Sequence, residues 1–194
     1  VEPIKWRILE ESDGTAFILA ELILDNHRYN EWYNGTQNGV YANNYKESEI
    51  RAWLNDQFYN TAFNTLQQAI ILTTNVDNSL ASTGDTSNPY VCANTNDKIF
   101  LLSRAETRNT SYGFSSSESS HTSRERLTSD YSRSKGVWMS TTAGSQYGNG
   151  YWWLRSPYNH ISNYARDVLY DGNIYNNLVN GAYYGVVPAL VIDL

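Results

Sequence analysis

Two apolar stretches near the C-terminus, Tyr151-Trp152-Trp153-Leu154-Arg155-Ser156-Pro157 and the run from Gly185 to Leu194, bracket 27 residues that carry almost no core material. Chains bury such anchors, so both are expected as strands, and what lies between them must be displayed on a frame they supply. Sixteen of the 27 residues from Tyr158 to Tyr184 are Asn, Tyr, Asp, His or Ser, and none is Lys, Glu, Gln, Met or Trp. Inside that segment, Asp167 to Tyr175 reads as a hairpin turning at Asp171-Gly172, because Asp-Gly tolerates the positive φ angles of a type I′ turn.

Upstream, Ile4 to Glu10 alternates apolar and polar residues, turns at Asp13-Gly14 and resumes in the run Phe17 to Leu24, a second hairpin. Residues 26–45 read as a polar, aromatic loop. Ser48 can cap a helix whose Ile50, Trp53, Leu54 and Phe58 share one face. A shorter helix from Asn64 is expected to turn Leu66 and Ile70 inward, and Ile71 to Val76 is β-branched. Lys98 to Leu102 reads as a strand, Ser103 to Glu106 has capping-box spacing, and the Ser-rich run 107–123 reads as a mobile insertion. A weak helix is expected over Thr128 to Ser134, and Val186 to Leu194 closes the chain as a strand. Strands at both ends with helices between them predict one domain of the α+β class, with a small antiparallel sheet joining the N- and C-terminal strands.

Composition narrows the function classes. A net charge of −6 with scattered Lys and Arg offers no basic stripe, so nucleic acid is not an expected partner. The run Thr15 to Leu24 is half a membrane span and contains Glu21, so no membrane insertion is expected. Cys92 is the only cysteine, which rules out an intrachain disulfide and a thiol pair for zinc. His27, His121 and His160 have no metal-ligand spacing, and no nucleophile elbow, phosphate loop or dinucleotide fingerprint occurs. The expectation is a protein without catalytic residues, metal or cofactor. Asp77, Asn78, Asp85 and Asn88 could offer oxygens to calcium, but local side-chain turns explain them better. Arg155 suits a framework role against a carboxylate or backbone carbonyls. The start at Val1-Glu2-Pro3, with no signal-peptide pattern, reads as a trimmed fragment of a longer protein.

The blocks Pro3 to Leu9, Ile50 to Asn55 with Phe58 to Phe63, Asp97 to Ser103, Trp152 to Pro157 and Gly185 to Leu190 resemble, from end to end, a family of bacterial domains of unknown function common in gut Firmicutes. That family usually has Gly where this chain has Tyr158 and Arg where it has Val187. The C-terminal arrangement also resembles the variable proteins of diversity-generating retroelements, which carry a hypermutated region on a C-type lectin fold. Mutation of adenines in Asn codons yields Tyr, His, Asp, Ser, Thr, Ile and smaller residues, but not Lys, Glu, Gln, Met or Trp, and residues 158–184 fit that reachable set well. The resemblance implies a C-type lectin-like, ligand-binding domain of an extracellular, cell-surface or phage-borne protein. Its contact residues would be Tyr158, Asn159, His160, Ser162, Asn163, Tyr164, Asp167, Tyr170, Asp171, Asn173, Tyr175, Asn176, Asn177, Asn180, Tyr183 and Tyr184. Ala165, Val168, Leu169, Gly172, Ile174, Leu178 and Val179 would be frame. The expected partner is a protein or a glycan; the competing reading is a fixed sensor or carbohydrate-binding module. Formylglycine-generating enzymes share a C-type lectin-like core, but they act through cysteines, which Cys92 alone does not supply.

Overall fold

The computed structural model describes residues 3–194; Val1 and Glu2, where the chain reads as trimmed, lie outside them. The N-terminal hairpin pairs β1 (Trp6–Ser12) with β2 (Thr15–Ala20), and Asp13 and Gly14 turn it at φ 51° and 78°, the two positive angles of a type I′ turn. The rest of the apolar run breaks into two short pieces, β3 (Leu22–Ile23) and β4 (Asp25–Asn26). Residues 26–45 are more than a loop. They hold a second tight hairpin, β5 (Thr36–Gln37) with β6 (Val40–Tyr41), turned by Asn38 and Gly39 at φ 54° and 78°. Tyr29 and Tyr45 from this stretch lie in the core.

Ser48 accepts a hydrogen bond from the Arg51 N–H and opens α1 (Glu49–Trp53), which passes through one π-helical turn (Leu54–Phe58) into α2 (Tyr59–Ala62). Ile50, Leu54 and Phe58 are buried along it and Trp53 is half-buried, as the spacing predicts. Asn64 and Gln67 form a reciprocal capping box at the start of α3 (Thr65–Ile70). The inward face predicted for that helix is wrong: Leu66 is 82% and Ile70 44% exposed. The Gln68 amide, on the opposite side, donates to the carbonyls of Tyr59 (3.4 Å) and Phe63 (3.0 Å) and turns that side toward the molecule. Phe63 and Ile71, just outside the helix, make the core contacts instead.

Of the β-branched stretch, only β7 (Thr74–Val76) is strand; after α4 (Leu80–Thr83) it pairs with β8 (Thr95–Asp97). Residues 98–102 touch two strands, through the bridge Phe100 to Ala189 and the Arg155 N–H that donates to the Leu102 carbonyl at 2.9 Å, but no regular strand forms. Ser103 and Glu106 cap each other at 3.1 and 2.7 Å and start a single 3₁₀ turn. The Ser-rich run 107–123 is not a loose insertion. It wraps the fully buried guanidinium of Arg124, which donates to the carbonyls of Thr107, Ser115, Ser119 and Gly172. Chain carbonyls thus satisfy the donors of a desolvated cation.

Then follow β9 (Leu127–Thr128), α5 (Asp130–Ser134) capped by Ser129, β10 (Trp152–Pro157), β11 (Tyr164–Val168), β12 (Ile174–Leu178), β13 (Gly185–Val186) and β14 (Ala189–Asp193). One sheet has the order β1-β2-β14, with Ala189 opposite Leu19 and Asp193 opposite Thr15, so strands near the two ends of the sequence join antiparallel. A second sheet runs β12-β11-β10-β13-β4, parallel only between β10 and β13. The last apolar run is therefore two strands, because Val187-Pro188 breaks the ladder and passes the chain from one sheet to the other. Both sheets feed one contiguous core that includes Leu19, Ile50, Leu101, Trp152, Trp153 and Leu190. The architecture is α+β, and among the described residues no helix is long and apolar enough to cross a membrane.

Candidate recognition face

The displayed segment is built on the β11–β12 hairpin. Cross-strand pairs alternate between two faces: Val168 with Ile174, Arg166 with Asn176 and Tyr164 with Leu178 on one, Asp167 with Tyr175 and Ala165 with Asn177 on the other. Ala165, Val168, Gly172, Ile174 and Val179 are buried, as expected of a frame, and Leu169 and Leu178 are half-buried. Arg166 belongs with them; it is 8% exposed, with its guanidinium 4.7 Å from the Tyr158 ring centre.

The tip differs from the predicted two-residue turn. Five residues, Leu169 to Asn173, connect the strands, and only Gly172 has a positive φ, at 77°. Packing sets this shape. The His121 N–H donates to the Asp171 carbonyl at 3.1 Å, the Ile174 N–H donates to the Glu118 carbonyl at 2.9 Å, and Ser120 Oγ donates to Asp171 Oδ2 at 2.5 Å. A Cβ on Gly172 would collide with the His121 carbonyl oxygen. The Ser-rich segment thus clamps the hairpin tip, which holds Asp171 and Asn173.

The remaining sequence-predicted contact residues fall into separate places. Tyr158, Asn159, Ser162, Asn163 and Tyr164 are half-buried and His160 is exposed, in a loop pinned by the buried Asn43 amide. That amide donates to the carbonyls of Tyr158, Ile161 and Tyr164 at 3.4, 3.1 and 3.0 Å. Tyr170, Asn176, Asn177 and Asn180 are half-buried, while Tyr175 and Tyr183 are 52% and 47% exposed.

Two of the proposed contacts are corrected. Tyr184 is 2% exposed and stacks on Trp153 with ring centres 4.2 Å apart. Asp167 is fully buried on the same face as Trp153, its strand partner; Asn177 donates to its Oδ2 at 2.9 Å, and its Oδ1 has no partner. Burial pushes the Asp167 carboxyl up to about 7, against the pull of Asn177 and Arg166. The Tyr184 phenol is raised first by burial and then by Asp167.

Above this buried pair lies an aromatic cluster that the sequence did not announce. Trp138 stacks on Tyr151 at 4.5 Å, Tyr170 stands against both at 5.7 and 6.1 Å, and Tyr183 lies 6.4 Å from Tyr151 and 4.8 Å from Tyr184. Tyr151 and Tyr184 are neighbours because Gly185 pairs with Trp152 in parallel register. Trp138 arrives through its N–H bond to the Tyr183 carbonyl at 3.0 Å and the Met139 to Gly150 bridge. Neither Trp138 nor Tyr151 belongs to the compositionally biased segment, so their residue type was the only available signal. We expect Tyr184→Ala to lower stability by roughly 3 kcal/mol, as for large buried rings, and Tyr183→Ala by under about 1 kcal/mol. Urea denaturation of the two variants tests this, and equal losses would show that Tyr183 is structural.

The face is open. Two clefts lie elsewhere: one of about 340 Å³ between Phe17, Phe100, Arg155 and Val191, another of about 380 Å³ among His27, Glu31 and Glu49 that reaches the segment only at Ala182. Arg155 is framework, paired with Glu106. Asp85 is held by Arg104 at 2.9 Å and Asn88 bonds the Pro157 carbonyl at 3.0 Å, which gives those loop residues local structural partners. Among the described residues, no group of three or more His, Cys, Asp or Glu converges as a metal site.

Fold and face together define a mixed α+β domain with an aromatic surface laid over a rigid hairpin. The chain belongs to the DUF6273 family, a domain of unknown function, which matches it over residues 13–194. No curated protein and no solved structure gives a significant match.

Proposed function

We propose that this domain is a ligand-recognition module of C-type lectin-like architecture. On residues 158–183 it displays a surface diversified by a retroelement, at a bacterial cell surface, outside the cell or on a phage particle. It binds and does not catalyse, and its ligand is a protein. The observation that carries this reading is the partition by burial across residues 158–183: the apolar frame residues of the β11–β12 hairpin are buried or half-buried, and the Tyr, Asn, His and Ser positions stay at least partly accessible. A scaffold that tolerates exchange at its surface needs that separation, since stability then comes from residues that do not vary. Tyr suits the accessible positions because it offers a large amphipathic area with two χ angles to freeze, and Asn and Ser adapt their hydrogen bonding. An open surface also suits a protein ligand, whose footprint is about 800 Å² per partner.

Diversification is tested in DNA. A near-copy of the stretch encoding residues 158–184, differing at adenines and lying beside a reverse transcriptase gene, is the expected finding. Its absence from a genome carrying this gene leaves the fixed module. That second reading draws on Trp138 and Tyr151, which lie outside the biased segment and would give an unvarying aromatic platform for sugar rings. A glycan array probed with and without calcium separates the two. For a protein ligand, the joint replacement of Tyr170, Tyr175 and Tyr183 by Ala is expected to abolish binding and shift the thermal midpoint by only a few degrees; unfolding of the triple variant would place these rings in the core.

A further inference from the structure

Six aromatic rings in this protein carry one of the chain's own cations. Arg7 lies over Phe114, Lys98 over Tyr59, Arg126 over Trp152, Lys135 over Tyr131, Arg155 over Phe100 and Arg166 over Tyr158, all between 4.7 and 6.0 Å. Among the described residues, no Lys or Arg sits over Trp138, Tyr151, Tyr170, Tyr183 or Tyr184, although these rings form a dense cluster. Asp167, opposite Trp153 in the sheet and near enough to add to the burial that raises the Tyr151 and Tyr184 phenols, is fully buried, with one oxygen lacking any partner.

We propose that this cluster receives a basic side chain, lysine or arginine, from a protein ligand. The inference rests on the recognition reading above and names the chemistry of its anchor. Ring faces are electronegative and attract a cation within about 6 Å, most strongly where water is excluded. Trp138 stacked on Tyr151 forms the floor, and Tyr170 and Tyr183 stand at 59° and 60° to the Tyr151 plane. Asp167 provides the counter-charge from the buried side of the cluster, where its own carboxyl is shielded from water. Burial alone disfavours its ionised form, and an arriving cation offsets that cost. A neutral sugar would use the rings but would leave the carboxyl without a charged partner.

The test is titration of the 194-residue chain with three capped tripeptides, Gly-Lys-Gly, Gly-Arg-Gly and Gly-norleucine-Gly, followed at the Trp138 indole N–H by NMR above the midpoint of the Asp167 carboxyl. Norleucine keeps the hydrocarbon and removes the charge. The lysine or arginine peptide is expected to bind about tenfold more tightly than the norleucine one. Asp167→Asn should remove most of that preference in a folded protein, and Tyr183→Ala should weaken binding of the basic peptides. Equal response to norleucine, no response at Trp138, or an unchanged preference in Asp167→Asn overturns the proposal. Saturation by a methyl glycoside or by choline in preference to the basic peptides also overturns it. If an adenine-variant template is found and the basic peptides fail, this inference alone falls. If the peptides bind and no template exists, only the diversification reading falls.

Discussion

Replacing Arg155 by Met is expected to destabilise the domain by about 3–5 kcal/mol, the range for breaking a buried ion pair from one side. The guanidinium is 2% exposed and meets Glu106 in a two-pronged contact, Nη1 to Oε2 at 2.6 Å and Nη2 to Oε1 at 2.8 Å. It also donates to the Leu101 carbonyl at 2.7 Å and, through Nη2, to that of Asp77 at 3.0 Å. Its loss orphans those acceptors and leaves the Glu106 carboxylate with one fewer partner for its charge. Glu106 itself closes the cap at Ser103, so the fault spreads to the turn that begins there. Lys at the same position cannot reproduce the planar fork and should recover only part of the loss. Pairing Arg155→Met with Glu106→Gln should cost less than the sum of the two single changes. Guanidinium denaturation measures all four variants, and a loss below about 1 kcal/mol for Arg155→Met would mean the pair contributes little.

Asp167→Asn should make the protein more stable above neutral pH while leaving it nearly unchanged in mild acid. The folded-state value of about 7 lies above the ordinary 3.8, so the folded chain holds this proton more tightly than the unfolded one. Stability associated with the group is therefore complete below about pH 4 and is lost as pH rises through about 7, by an amount on the order of 4 kcal/mol at most. Asn keeps the shape and can still accept from Asn177, but it carries no charge to bury. Thermal or urea unfolding at about pH 5 and about pH 8 should show the gap between variant and parent widening with pH; a gap of constant size would show that the carboxyl does not titrate in this window. A stabilising change that also removes affinity for a basic side chain would mark Asp167 as a residue kept for binding at the expense of the fold.

Local chemistry was what the sequence disclosed well. Asp13-Gly14, the cap at Ser48, the helix start at Asn64 and the reciprocal pair Ser103 and Glu106 are each written within four residues, and each formed as read. The frame residues of the hairpin were legible because they break the Tyr/Asn bias of the segment, whereas the burial of β11 on both faces, which hides Asp167, left no local mark. Partners far along the chain were not. The Ser-rich run looked loose because nothing in its own composition reveals that Arg124 will draw in its carbonyls. Leu66 and Ile70 have apolar spacing, yet an amide two residues from each decides which side of α3 faces the protein. Tyr183 and Tyr184 are identical neighbours with opposite fates; only the register of β13 beside β10 places one on Trp153 and the other in solvent. Trp138 entered the face by the same long-range route.

The pairing of β14 with β2 sets the order of events during synthesis. Residues 15–20 leave the ribosome early and must keep one edge unsatisfied until residues 189–193 are made, after about 170 further residues have been added. Such a long-range closure is slow, and the waiting edge invites pairing with a second nascent chain. The N-terminal hairpin is therefore the point at which chaperone engagement and misassembly compete with folding, and shortening the chain before Ala189 leaves that edge permanently open.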